Sequence, residues 1–402
     1  MGGNAFRSNL APSAFPRLPT AVYSALKARI QPLLEELYTH VGVPREAPEK
    51  EDHGDLDFVV CLPRRSITNT NTPRVNVPHD IVAAAIGAKH CNPMDGNRTS
   101  NFAVPIIQNE WEELGHEAQE VTARMGAGEE GIFYQIDVNV CESEDEWDRR
   151  IFVNSYGDLN MILGLITKNA GLHFSNKGLK YPDVPHPPIV LSESFDDILK
   201  FFGWSMDEWR KGFETHMACY EWATSTRYFN PSHFRTRGPG IKTRKPDRTM
   251  YSGFLEWAGT LSQDRAHTNY TNGEAATGEM PDAREDALDF FGKRPKLVER
   301  RAEVRRRELL KASFSGSRVR DWTDLGNFWP GVKKIMDGVR ERFGGEENVA
   351  IFLDEEGEEK LRGVVLEVQA RLEIWPMSTA GVGVGETSKE DIGEKSMEKS
   401  NV

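Results

Sequence analysis

Apolar residues recur at Val22, Leu26, Ile30, Leu33, Leu37 and Val41, after a start punctuated by Pro12, Pro16 and Pro19. Steps of three and four predict an amphipathic helix over 20–41. Pro32 falls inside it, so a kink or restart is expected there. A polar stretch rich in Pro and Glu (43–54) follows. Leu56, Phe58, Val60 and Leu62 then alternate with a period of two, which predicts a strand. HDIVAAAIGA (79–88) reads as a short helix and NFAVPII (101–107) as a strand. In IFYQIDVNVC (132–141), Ile136, Val138 and Val140 take one strand face, and Gln135, Asp137 and Asn139 the other. Leu159, Ile162, Leu163 and Ile166 form a helical stripe in 158–172, with Gly171 as its stop.

From about Leu191 the patterns become helical. Ser205 and Glu208 form a capping box, with Trp209, Phe213 and Tyr220 along one face, and MYSGFLEWAGTL (250–261) predicts another helix. Residues 262–288 are polar and read as a long loop, and the chain from Ser378 is of low complexity. The expected class is α+β. A mixed sheet flanked by helices occupies 1–190, a mainly helical domain 191–377, and a disordered tail 378–402.

Length and composition narrow the class. The chain has 402 residues and is 38% apolar, with room for two or three domains. No run approaches the eighteen or so apolar residues of a membrane span. The start lacks the apolar core of a secretory signal, and Phe6 stands where a myristoylation site wants Ser or Thr. Cys61, Cys91, Cys141 and Cys219 form no CxxC pair, which predicts reduced thiols in the cytosol or nucleus and no zinc site. A net charge of −12 conceals a basic segment at 293–320, with eleven Lys or Arg against three Glu. An acidic stretch at 341–402 carries fifteen acidic residues against seven basic ones. Such a chain is a poor general nucleic-acid coat, although it can still hold phosphate locally.

The chemistry centres on GDLDFVV (54–60). Asp55 and Asp57, introduced by Gly54, fall on one side of a strand, about 6.6 Å apart along the chain. Carboxylates so placed suit a hard cation such as Mg²⁺ or Mn²⁺. A solvated strand start with an Asx turn is the plainer alternative. Asp137 adds weight to the metal reading, because a carboxylate in a buried strand needs a partner. Three carboxylates on neighbouring strands would suit a two-metal in-line displacement at phosphorus.

GDLDFVV followed some eighty residues later by YQIDVNV resembles the signature of the DNA polymerase beta-like nucleotidyltransferase superfamily. The resemblance covers roughly residues 1–180. It implies that Asp55 and Asp57 bind both metals with the nucleotide phosphates, and that Asp137 completes the metal activating the acceptor hydroxyl. The family's Gly-Ser pair, which grips the triphosphate ahead of the first acidic strand, is missing from VGVPREAPEKEDHGD. The Gly2–Gly3 backbone, Arg45, Lys50 or His53 could replace it, or Gly2–Gly3 could be a frayed end. Ser155 and Tyr156 open the helix after Asp137, where Ser155 or Asp158 would cap, and they are candidate nucleotide contacts with Gly54.

Further basic groups are Arg235, Arg237, Lys242, Arg244, Lys245 and Arg248, of which Lys242, Arg244 and Lys245 are candidates for triphosphate or RNA backbone; a solvated face is the alternative. KRPKLVERRAEVRRRELLK (293–311) reads as a charged surface helix, with RNA binding or nuclear import as the sharper alternative. GVGVGETS (381–388) lacks the phosphate-loop lysine and reads as a linker.

The expected function is a metal-dependent nucleotidyltransferase. It moves a nucleoside monophosphate from an NTP, ATP among them, to the hydroxyl of an RNA end, a protein or a small molecule. A helical domain would close over the cleft. Two rivals stand beside it: an inactive fold of the same kind serving as a binding or scaffold module, and an Asp-x-Asp glycosyltransferase. In the latter the apolar strand usually precedes the acidic pair, whereas here it follows.

Overall fold

The computed structural model describes residues 4–64, 76–93, 99–235, 248–261 and 281–376. The chain divides into two compact units, 1–294 and 295–402. The first unit is α+β.

Its main sheet has five strands: β2 (Tyr38–Gly42), β4 (Leu56–Pro63), β5 (His90–Pro93), β6 (Thr99–Pro105) and β7 (Phe133–Cys141). Their order is β2-β4-β7-β6-β5. The central pair, β4 and β7, is parallel, and every other pairing is antiparallel. One face is built from Leu56, Phe58, Val60, Ile136, Val138, Phe102 and Val104. It packs against Val22, Leu26, Ile30 and Leu34 of α1 (Thr20–Glu35) and Val82 and Ile86 of α2 (His79–Ile86). Burying these side chains is the main term holding the unit together.

The other face is covered in parts. On it Val59, Cys61 and Cys141 lie under Trp147 and Ile151 of α4 (Glu144–Asn154). Trp147 also donates from Nε1 to the Val59 carbonyl at 2.8 Å, which ties the helix to β4. The two-residue strands β1 (Leu18–Pro19) and β3 (Asp52–His53) pair with each other and fasten the loop ahead of β4.

The sequence pattern misleads at residues 36–42. The helix ends at Glu35, and Tyr38–Gly42 is an edge strand paired with β4. Leu37 and Val41 are four apart and imitate a helical step, but their burial comes from the sheet. The helix does not restart at Pro32; α1 runs through it.

The boundary expected at 190/191 also moves. A three-stranded antiparallel sheet, β8 (His173–Ser175), β9 (Gly178–Asp183) and β10 (His186–Ser192), leads into α6 (Phe195–Phe202). Next come α7 (Met206–Lys211), α8 (His216–Thr224), α9 (Ser232–Arg235) and α10 (Thr249–Thr260). Phe152 of α4 stacks on Trp209 and meets Phe195 edge-on, with centroids 4.9 and 5.1 Å away. Asp158, just ahead of α5 (Leu159–Asn169), accepts from Arg248 Nη1 and the Tyr251 backbone N–H. Those contacts bind the helices after 191 into the first unit. Gly212 breaks the helix between Trp209 and Phe213, so Trp209, Phe213 and Tyr220 do not share one helical face. Within the polar stretch 262–288, Ala283–Phe290 is a helix capped by Asp282, and 262–280 lie outside the described residues.

The second unit is helical throughout its described part: Arg294–Ser313, Gly316–Thr323, Trp329–Phe343, Glu346–Glu356 and Glu358–Arg371. Val319, Ile335, Val339, Val349, Leu361 and Val365 form its core. The basic helix is a surface helix whose arginines find acids, Arg305 with Asp354 and Arg307 with Glu303. Residues 378–402 lie outside the described residues. Among those described, no helix is long and apolar enough to cross a membrane.

Gly42 is where α4 presses on the sheet. A Cβ there would stand 2.7 Å from Trp147 Cζ2 and 2.9 Å from Ile151 Cδ1. Gly42→Ala should therefore lift α4 and cost about 1–3 kcal/mol, the usual penalty of overpacking. The fall would appear as a lower urea midpoint with an unchanged slope; an unchanged midpoint would show that α4 has room to move.

Candidate active site

Strand register builds the site. Asp57 pairs with Asp137 across β4 and β7, Asn101 pairs with Asp137 across β6, and Asn92 with Asn101 across β5. A polar row thus crosses four strands on one face. On one side of it, α4 covers Val59, Cys61 and Cys141. On the other side Phe6, Ala14 and Phe15 cover Ala103 and Phe133, and Asn92 Nδ2 donates to the Ala5 carbonyl at 2.6 Å. Between these coverings the carboxylates reach solvent, with Asp57 exposed and Asp55 and Asp137 half-buried, while Asn101 beside them is buried.

Asp137 is held firmly. Asn101 Nδ2 donates to its Oδ1 at 2.6 Å, while Gln135 Nε2 donates to Oδ1 at 2.9 Å and Oδ2 at 3.1 Å. Asn101 is only 3% exposed, and its Oδ1 has no hydrogen-bond partner among the described residues. Neither amide was singled out as a site residue from the sequence. The available signal was polarity: Asn101 directly precedes the apolar run that starts at Phe102, and Gln135 shares the face of Asp137.

The carboxyls disturb one another. Burial pushes Asp137 up to about 6, with Asn101 and Gln135 opposing and Asp55 adding repulsion. Asp57 rises to about 7, first by the protein crowded around it, then by the charges of Asp55, Asp137 and Glu46. Asp57 reaches solvent although much protein also surrounds it.

Glu46, Lys50, His53 and Tyr23 adjoin this charge. Tyr23 donates to Glu46 Oε1 at 2.7 Å and stacks on His53 with centroids 3.9 Å apart; Lys50 donates to Glu46 Oε2. His53 Nδ1 lies 3.6 Å from Glu46 Oε2, an ion-pair distance too long for a hydrogen bond. Burial works to raise Glu46, but His53, Lys50 and Tyr23 outweigh it and bring it down to about 2. Lys50 is therefore spent on Glu46, and no lysine or arginine pairs with Asp55, Asp57 or Asp137 among the described residues.

The expected nucleotide contacts are placed differently. Ser155 and Tyr156 are buried. Ser155 Oγ accepts from the Arg45 backbone N–H at 3.0 Å and donates to the Ile151 carbonyl at 2.7 Å. Tyr156 Oη donates to the Trp209 carbonyl at 2.7 Å and accepts from Arg45 Nη1 at 3.0 Å. Together they pin the 43–54 loop to the turn between α4 and α5. Nor does Ser155 cap α5; Asp158 is the N-cap residue, and its carboxylate is turned to Arg248. Arg45 is thus occupied too. Gly54 is buried beside the acidic pair, at the join of β3 and β4. Gly2–Gly3 and the basic residues Arg237, Lys242, Arg244 and Lys245 lie outside the described residues.

The donor set fits Mg²⁺ or Mn²⁺ in kind, since it offers anionic oxygens that repel one another and, among the described residues, pair with no lysine or arginine. Among the described residues, no three His, Cys, Asp or Glu side chains are already gathered to hold an ion. That is compatible with Mg²⁺, which is usually bound by one or two carboxylates together with substrate phosphates and water, not by an all-protein cage. No protein-family model matches the chain, and no curated protein is significantly similar to it. The functional reading therefore rests on the residues themselves.

Raised pKa values give stability a definite pH dependence. An unfolded aspartate titrates near 3.9. Between that value and the folded values of about 6 and 7, the folded chain holds more protons than the unfolded one. Stability from these groups is thus full below about 4 and is lost as pH rises through 6 and 7. Asp57→Asn should raise the melting temperature of metal-free protein at pH 8 more than at pH 5, and Mn²⁺ at pH 8 should stabilise the wild type more than the variant. Equal pH slopes in calorimetry of the two proteins would mean that the carboxylates are not coupled.

Proposed function

We propose that the first unit is a metal-dependent nucleotidyltransferase, moving a nucleoside monophosphate from an NTP to an acceptor hydroxyl with release of pyrophosphate. The observation carrying this reading is the register that sets Asp57 opposite Asp137 on the central parallel pair, with Asp55 two residues earlier. Bound at these carboxylates, Mg²⁺ or Mn²⁺ would neutralise phosphate charge and lower the pKa of the attacking hydroxyl. Asp55 and Asp57 hold the nucleotide side of the site. Asp137, kept in one orientation by Asn101 and Gln135, serves the acceptor side. Its Oδ1 takes two amide donors and its Oδ2 only the longer Gln135 contact, so Oδ2 has more capacity left for an ion. Lys242, Arg244 and Lys245 remain the proposed triphosphate contacts. Four cysteines with no CxxC pair suit the cytosol or nucleus.

One observation favours the rival reading, a binding or scaffold module. Glu46, on the loop where the family grips triphosphate, adds a fixed negative charge that acts on Asp57.

Nucleotide binding and chemistry separate the two. Asp55→Asn or Asp57→Asn should weaken binding of metal-complexed NTP and also slow turnover. Asp137→Asn should leave NTP binding largely intact and lower the single-turnover rate by several orders of magnitude. Full turnover in Asp137→Asn would sink the assignment. Wild-type protein that binds NTP with Mn²⁺, yet transfers nothing to itself, to RNA ends or to small acceptors, would leave the scaffold reading.

A further inference from the structure

Two donors compete for one oxygen of Glu46. Lys50 donates to Oε2, while His53 Nδ1 lies 3.6 Å from the same atom, too far for a hydrogen bond. His53 is only 2% exposed, and neither of its ring nitrogens has a hydrogen-bond partner among the described residues. A buried polar group left without a partner calls for an explanation. Tyr23 Oη donates to the other oxygen, Oε1, at 2.7 Å and keeps the carboxylate in place.

The two donors differ in freedom. His53 is held by its stack on Tyr23 and by the pairing of β3 with β1. Lys50 sits on a flexible four-carbon stem that is 32% exposed, which leaves it room to rotate. The chain on either side of it is tied down. Glu49 Oε2 accepts from the His216 backbone N–H at 3.0 Å, and Thr20 Oγ1 donates to the Glu51 carbonyl at 3.2 Å. Lys50 can therefore change partner by side-chain rotation alone. Glu46 is not orphaned when it does, because a movement of roughly half an ångström brings His53 Nδ1 within bonding distance of Oε2.

Lys50 also stands near the acidic pair. The Asp57 carboxyl is raised by burial and then by Asp55, Asp137 and Glu46, and the charge of Lys50 opposes that rise. We propose that Lys50 is a phosphate contact held in reserve: Glu46 keeps it in the ligand-free chain, triphosphate bound with metal at the aspartates takes it, and His53 replaces it on Glu46 Oε2. A triphosphate carries more negative charge than one carboxylate, so it competes for the ammonium. No proton changes hands, since Lys50 stays an ammonium and a neutral imidazole donates through Nδ1–H. Resting on the nucleotidyltransferase reading, this exchange supplies the cation with which none of the three aspartates is paired among the described residues.

Calorimetric titration of the full chain with ATP, GTP, CTP and UTP, each with Mg²⁺, and ¹⁵N NMR of the His53 ring test the exchange. Lys50→Met should weaken binding of the NTP that the wild type binds best by about tenfold or more, the worth of a hydrogen bond to a charged group. In the wild type that NTP should move the His53 Nδ1 signal. Lys50→Met without nucleotide should show the signal already at the moved position, because both changes take Lys50 away from Glu46. Melting temperatures would identify a variant that fails to fold, and the wild-type spectrum decides the outcome even then. If no NTP binds the wild type, the nucleotidyltransferase reading falls and this proposal with it. If an NTP binds the wild type and folded Lys50→Met equally, or leaves the wild-type His53 signal unmoved, the proposal alone is overturned.

Discussion

The rest of the structure depends on the parallel pairing of β4 with β7, which brings Asp57 opposite Asp137. A central parallel pair is normally buried on both faces and rich in apolar residues. Two carboxylates facing each other there repel, and they lose hydration unless solvent or a counter-charge reaches them. The molecule accommodates them by covering that face only in parts. α4 takes the Val59 and Cys61 end, the N-terminal turns take the Phe133 end, and Asp57 and Asp137 reach solvent between them.

The elements around these aspartates are themselves anchored by polar contacts. Arg45 is the central one, linking the loop ahead of β4 to Ser155, Tyr156 and, through its second guanidinium nitrogen, the Arg210 carbonyl of α7. The acidic pair, α4 and the helices between residues 195 and 260 therefore belong to one compact unit. This is why the chain divides near residue 294, not 190. It also explains why Ser155 and Tyr156, well placed along the sequence for ligand contact, are consumed as structural groups.

Charge is organised differently in the second unit. Its basic helix is flanked by acids, as in Arg305–Asp354 and Arg318–Glu358, and is spread over a solvated surface. Exposed pairs of this sort contribute little to stability, about 0–1 kcal/mol each. Repulsion among the aspartates is harder to relieve, because protein crowds the carboxylates while, among the described residues, no cationic side chain is paired with them.

The amino-acid sequence by itself determined the strands and helices whose apolar period is strong: α1 to Glu35, α2, β4, β7, α5, α10 and the basic helix. It also determined the mixed α+β character and the side of β4 on which Asp57 falls, because a period of two leaves no choice of face. Only tertiary structure decided what depends on partners distant along the chain. Leu37 and Val41 satisfy a helical spacing locally, but β4 supplies the hydrogen bonds that make Tyr38–Gly42 a strand. Asn101 and Gln135 acquire their roles from register with Asp137, and Arg45 from a turn more than a hundred residues away. Local patterning records which side chains seek burial; where a buried polar group finds its partner is settled by pairing and packing across the chain, and no short stretch of sequence carries that information.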